Sequence, residues 1–473
     1  MKTKKSLLVL PAIALVFALV FTTCSNGSTG GGGRQDNSSG SVKFNMTGAK
    51  AILATGSDSG NGRAVYGAGN DLLKLLADNS VVSILSGDQE IPEIKDIVCS
   101  PYSKDIYIAF WENWSYKADD GKSINIGSFI HVKEDGTVVN ILEKSSYFYH
   151  GVTIISFDKY GNLYFREQTG VETGIVYKYN PGTLRKEQIF TTDIRTSFTL
   201  SPDGDYFIVS VWPGTAMVVV RLIPTAAPNM AYDIFRAENT NSIYYQGEGI
   251  NNITQMVSFA IHPINREIYI MGSVDSTGNT VSGLHKLSSI NGGFSKDDWQ
   301  LTTLTTLSAL STHSISIFIV PDNSVWGIDN SQVLDNYQVP RFTKLLDRNE
   351  RPVNNVYSNV VEKKFWGYKP LASHIYFGTY ETIEIVGGGH TGVNFQLYRF
   401  SYDNPGNFED IFYNITELNT KNFGPINWDI SGNFLYFSTF EINGSIRYSG
   451  EINLTTLAYK KYDIQNVRMI VGY

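Results

Sequence analysis

Phe198-Thr199-Leu200-Ser201-Pro202-Asp203-Gly204, leading after one residue into Tyr206-Phe207-Ile208-Val209, is the stretch that decides the fold. A short apolar segment meets Ser-Pro-Asp-Gly, residues that each favour a tight turn, and a second β-prone segment carrying an aromatic follows. The unit recurs along the chain. Ile97-Val98-Cys99-Ser100-Pro101 leads to Ile106-Tyr107-Ile108, and Ile154-Ile155-Ser156-Phe157-Asp158 leads to Gly161-Asn162-Leu163-Tyr164-Phe165. Phe259-Ala260-Ile261-His262-Pro263 precedes Ile268-Tyr269-Ile270, and Ile317-Phe318-Ile319-Val320-Pro321-Asp322 precedes Val325-Trp326-Gly327. Trp366 to Pro370 precedes Ile375-Tyr376-Phe377, and Trp428-Asp429-Ile430-Ser431-Gly432-Asn433 precedes Leu435-Tyr436-Phe437.

The aromatics of the second segments are Tyr107, Tyr164, Phe207, Tyr269, Trp326, Tyr376 and Tyr436. Their shortest spacing is the 43 residues from Tyr164 to Phe207, and their longest the 62 from Phe207 to Tyr269. That period matches four-stranded blades of a β-propeller, an all-β ring in which each blade buries its faces against its neighbours. Further strand pairs fall between, such as Phe129 to Val132 with Thr137 to Leu142, and Ile175 to Tyr179 with Gln188 to Phe190. Leu72 to Leu76 and Val81 to Leu85 form a hairpin near the start, with Ala64-Val65-Tyr66 as a strand before it. Val467 to Val471 is a strand left over at the end. Placed innermost beside the N-terminal strands, it gives eight blades with the two ends sharing one; seven blades is the alternative.

Ser201-Pro202-Asp203-Gly204 resembles the blade turn of TolB-type and WD40-like propellers, and Asp158 with Gly161-Asn162-Leu163-Tyr164 resembles the NHL and gluconolactonase-type repeat. The resemblance implies a propeller and no particular activity, because fold does not carry function.

Residues 1–23 read as a signal peptide, with Lys2, Lys4 and Lys5 ahead of the apolar run from Ser6 to Phe21. The run ends in Phe21-Thr22-Thr23-Cys24, which resembles a bacterial lipobox and implies lipidation of Cys24. Residues 24–41 are dominated by Ser, Gly, Asn and Thr, a flexible tether that cannot bury apolar surface. The propeller occupies 42–473, anchored at the cell envelope by the N-terminal lipid, on the outer-membrane or periplasmic side. The only other cysteine, Cys99, lies in an apolar run and reads as a buried, inert thiol. The formal net charge of −7, with no basic stripe, argues against nucleic acid, and the expected state is a monomer.

No complete catalytic signature is present. Gly387-Gly388-Gly389-His390-Thr391-Gly392 satisfies GxGxxG, but the following Val393-Asn394-Phe395-Gln396-Leu397-Tyr398 reads as a strand and not as the helix a dinucleotide needs. Ser156-Phe157-Asp158 and Ser401-Tyr402-Asp403 approach a sialidase-type Asp box, yet in both the glycine comes one residue late; each reads as an Asp-bonded turn. The seven histidines are scattered and show no metal-ligand spacing, so no cofactor or metal is implied. The connections after the second strands share one face of a propeller. Trp111, Trp114, Trp212, Asp275, Asp329, Tyr380 and Glu441 fall there, a set suited to a protein, peptide or glycan ligand. The expected function is non-catalytic binding or assembly; the alternatives are a metal-dependent, lactonase-like hydrolase and a glycan-binding surface lipoprotein.

Overall fold

In a computed structural model, residues 42–473 form one compact unit. Within it the structure describes all residues except 56–70, 86–90, 118–122, 143–150, 171–172, 194–196, 202, 212–216, 229–231, 240–244, 250–252, 263–266, 277–278, 294–297, 307–314, 330–332, 335–336, 339–340, 359–363, 372, 386–388, 420, 425–426, 441–446, 463 and 465–466. Residues 1–41, with the expected signal, lipidation site and tether, lie outside the described residues.

The fold is an eight-bladed β-propeller. Seven blades follow in chain order, each opening with its innermost strand: Ile94–Cys99, Val152–Phe157, Ser197–Leu200, Ile253–Ile261, Ile315–Ile319, Lys364–Pro370 and Asn427–Ser431. The remaining blade, the first, is built from both ends. Val467–Gly472 lies innermost, followed outward by Ala49–Thr55, Leu72–Leu76 and Val81–Ser83. The place next to the C-terminal strand, assigned from sequence to Ala64-Val65-Tyr66, therefore belongs to Ala49–Thr55, paired Ile52 to Val471 and Leu53 to Ile470. Ala64 to Tyr66 lie outside the described residues. The fourth blade carries a fifth, outer strand, Tyr245–Gly249.

The core is divided as a closed ring requires. Eight separate apolar clusters each join two consecutive blades. The cluster between the eighth and first blades sets Tyr436 against Leu53, Val467 and Ile470, and the next sets Ile52 and Ala54 against Ile106 and Ile108. Six of the seven repeat aromatics face the following blade. The exception is Phe207, which faces back toward Tyr164 of the third blade, while Tyr206 takes the forward place against Trp299. Successive residues of a strand point to opposite faces, so the one-residue choice between Tyr206 and Phe207 reverses the assignment.

The Asp-bonded turns hold the blades in register. Asp158 Oδ1 accepts the backbone N–H groups of Tyr160 and Asn162, both at 2.9 Å, while Oδ2 accepts the Asn162 amide at 2.8 Å and the Tyr164 hydroxyl at 3.3 Å. Asp403 does not repeat this. In its turn the Ser401 hydroxyl accepts the Asp403 N–H at 3.2 Å. Of the buried histidines, His131 lies between the Tyr179 hydroxyl and Asp105, each at 3.0 Å; burial pushes its pKa down, against the opposing pull of Asp105.

Candidate functional site

The inner strands all run the same way along the ring axis, so every second strand ends on the same face. Among the described residues two blades extend their own second and third strands beyond it, and the connection of the sixth blade adds a separate short hairpin, Val333–Leu334 with Tyr337–Gln338. In the second blade pairing with the inner strand stops at Ile94 and Phe110, yet Ile106–Lys117 continues and pairs with Ser123–Val132 as far as Lys117 and Ser123. In the seventh it stops at Lys364 and Tyr380, yet the hairpin continues from Glu381 opposite Val393 to Ile385 opposite Gly389. At ~3.3 Å per residue these extensions stand roughly 15–20 Å above the blade body. In the other blades, by contrast, the second strand passes its last inner-strand pairing by two residues at most among the described residues. Gly389 to Gly392 of the Gly-rich segment thus lie in a strand of the hairpin arm, as the sequence suggests, while Gly387 and Gly388 lie outside the described residues. Because the ring closes at the first blade, the two arms flank the eighth and first blades.

The sequence-selected residues divide on this frame. Trp111 and Trp114 are on the rising strand and not on a loop. Trp114 is fully buried against Phe44, Phe110 and Tyr116, with ring centroids 6.1, 5.6 and 6.5 Å away. A bulge between Ala109 and Trp114 turns this side chain inward. It is a core residue because the segment Val42 to Met46 folds over it. Trp111 is half-buried, with the Lys95 ammonium 5.0 Å over its ring. Burial pushes Lys95 down to about 8. Tyr380 is half-buried on the core between the seventh and eighth blades. Asp275 and Asp329 lie at the ends of their second strands, as the repeat requires. Trp212 and Glu441 lie outside the described residues. No described contact brings these residues together.

Sequence reasoning missed the opposite mouth of the channel, where a cavity of about 540 Å³ opens between the inner strands of the second, eighth and first blades. Cys99, Lys369, Trp428, Asp429 and Tyr473 are among its lining residues. Asp429 accepts a hydrogen bond from the Lys369 ammonium and another from the Gly472 N–H at 3.0 Å. The Tyr473 hydroxyl donates to the Lys104 carbonyl at 2.7 Å. These bonds tie the seventh, eighth, first and second blades to one another. The signal for them was a polar residue just before the turn of an inner strand, Lys369 and Asp429, in segments otherwise apolar or aromatic.

Cys99 is half-buried on the cavity wall and not fully buried as its apolar run suggested; desolvation there, followed by the neighbouring Asp429 charge, pushes its thiol up to about 12. A raised thiol pKa keeps the proton on at pH 8, leaving about one thiolate in 10⁴ where a free cysteine has roughly one in four. Iodoacetamide at pH 8 is therefore expected to label the Cys99 peptide at least ~100-fold more slowly in the folded protein than in guanidinium, as followed by mass spectrometry. Equal rates would contradict the raised thiol pKa. Among the described residues, no group of three or more His, Cys, Asp or Glu is placed to hold a metal ion.

No family model matches the chain, and no curated protein matches it. Solved structures do. A prolyl endopeptidase is 8% identical with a TM-score of 0.46, the match covering 80% of this chain and 50% of that one. The chain thus spans about half the length of that relative. The β-propeller domain of the Trilobed protease from Pyrococcus furiosus is 9% identical with a TM-score of 0.41, over 81% of this chain and 98% of that one. A TolB-type protein from Agrobacterium tumefaciens is 12% identical with a TM-score of 0.32, over 55% and 79%. The likeness is one of architecture.

Proposed function

We propose that the chain is a non-catalytic binding or assembly propeller, held at the cell envelope by lipid on Cys24, whose ligand seats on the face raised by the arms of the second and seventh blades. The two arms carry the reading. A ring that needed only to close gains nothing from hairpins standing roughly 15–20 Å beyond their blades, whereas a protein, peptide or glycan docked between them gains two walls. The opposite mouth supports the same reading, because Lys369 and Asp429 are engaged in joining blades. The cavity there has a small-molecule size and favours a second reading, an envelope hydrolase acting at the channel mouth.

Glycan and peptide arrays probed with the full chain test the first reading. Binding is expected, and it should be lost when residues 383–391 of the seventh-blade arm are replaced by Asn-Gly, a turn suited to a two-residue hairpin. Blank arrays, or binding indifferent to the trimmed arm, would sink it. The anchor is tested separately by mass spectrometry of the membrane fraction. An acylated Cys24 is expected at the mature N-terminus, and a soluble, unmodified one would remove that part of the proposal.

A further inference from the structure

We infer that the base of the seventh-blade arm holds a saccharide subsite, sized for one pyranose ring. The inference rests on the binding reading above and names the ligand class.

The third strand of that blade, Gly389–Ser401, is stitched to the connection that follows the blade. The Asn394 N–H donates to Asn422 Oδ1 at 2.9 Å, and the Phe395 N–H donates to the Phe423 carbonyl at 3.0 Å. Between strand and connection lies a pocket of about 160 Å³. At ~30 Å³ per water it has room for about five waters, the space of one small ring and not of a peptide.

Its polar lining is Glu381, Asn394, Gln396, Asn419 and Lys421. One carboxylate and one ammonium offset each other, and three amides supply neutral donors and acceptors. Such a lining disfavours a phosphate or a carboxylate and suits a neutral polyol. The polar groups are also preset. Glu381 accepts the Asn394 amide at 2.5 Å, and Gln396 Oε1 accepts the Tyr398 hydroxyl at 2.8 Å, so neither amide needs reordering when hydroxyls arrive. Tyr413, 66% exposed, stands on the rim. Its phenol ring offers an apolar face for the C–H side of a sugar beside polar groups for the hydroxyl side. Phe412 and Phe423, packed 5.7 Å apart, back the pocket from the core.

Saturation-transfer NMR on the full chain, with the methyl glycosides of glucose, galactose, mannose and N-acetylglucosamine as probes, tests the subsite. At least one is expected to bind in the millimolar range. Tyr413→Ala and Asn419→Ala, both at exposed positions, should each weaken it about tenfold or more with no change in the thermal midpoint. Oligosaccharides ending in the same sugar then separate the two sources. Tighter binding of the oligosaccharide marks a glycan end as the ligand, and equal binding marks a free sugar. No transfer from any of the four glycosides, or transfer unchanged in both variants, overturns the inference. If that happens while the peptide arrays are positive, the binding reading stands and only the saccharide is lost; if the arrays are blank too, both fall.

Discussion

Ending the chain at Tyr462 is expected to abolish cooperative folding. The truncation removes Val467–Gly472, the innermost strand of the first blade. Val467 and Ile470 are fully buried, and losing two such side chains costs about 1.5–3 kcal/mol each. The loss also uncovers Leu53 in the same blade and Tyr436 in the eighth, and strips the inner edge of Ala49–Thr55 of its pairing partner. Together these losses reach about 5 kcal/mol or more, the lower end of the whole stability of a typical domain. Circular dichroism during thermal unfolding should show no sharp transition, and the product should aggregate through its opened edges. A truncated chain that melts as sharply as the full one would mean that the C-terminal strand is an ornament.

Asp158→Ala should cost about 3–5 kcal/mol, a large loss for a single turn residue. The Asp158 carboxylate is buried and receives two backbone N–H groups, the Asn162 amide and the Tyr164 hydroxyl. Alanine removes the acceptor of all four donors; the Asn162 groups are left in a buried void, while the Tyr164 hydroxyl keeps its 3.5 Å contact with the Gly204 carbonyl. The same knot carries the contact with the next blade, since Gly204 sits on Asp158 at φ +77°. A Cβ at Gly204 would lie 2.3 Å from that of Asp158, so Gly204→Ala attacks the junction from the other side by overlap and by backbone strain. Denaturant unfolding measures both. Each variant should lower the midpoint with little change in slope, and the losses in the double variant should be close to additive, because the alanine at position 158 keeps the Cβ that the new Cβ at 204 overlaps. A double variant no less stable than Asp158→Ala alone would show that the Cβ overlap and the backbone strain at Gly204 cost nothing.

The blades were legible in the sequence because each repeats a local pattern. An apolar strand, a turn of Pro, Asp, Gly or Ser and an aromatic strand need no distant partner to be recognised. Val467 to Val471 could be placed innermost because an unpaired strand at one end has to close against the other. Its partner was harder to see. In Ala49–Thr55 the strand contains three alanines, which favour no strand, and only its position beside Val471 and Ile470 defines it. Trp114 was misjudged because the segment that covers it, Val42 to Met46, lies some 70 residues earlier; its alternation of apolar and polar residues marks a half-buried extended segment but not what it covers. The channel floor was hidden for the same reason. Lys369, Asp429 and Tyr473 come together with Lys104 only once eight blades have brought the chain full circle.

A disulfide across the closing pair tests ring closure, on which the placing of the two arms depends. Ala54 and Met469 are register partners, and facing residues of an antiparallel pair lie ~4.5–5.5 Å apart at Cα, within the range a disulfide spans. In a chain with Cys24 and Cys99 replaced by serine, Ala54→Cys and Met469→Cys should oxidise to an intramolecular disulfide, visible as faster migration on a non-reducing gel and a mass lower by two hydrogens. Two thiols that stay open to alkylation in a folded, cooperatively melting protein would show that the ends do not share a blade.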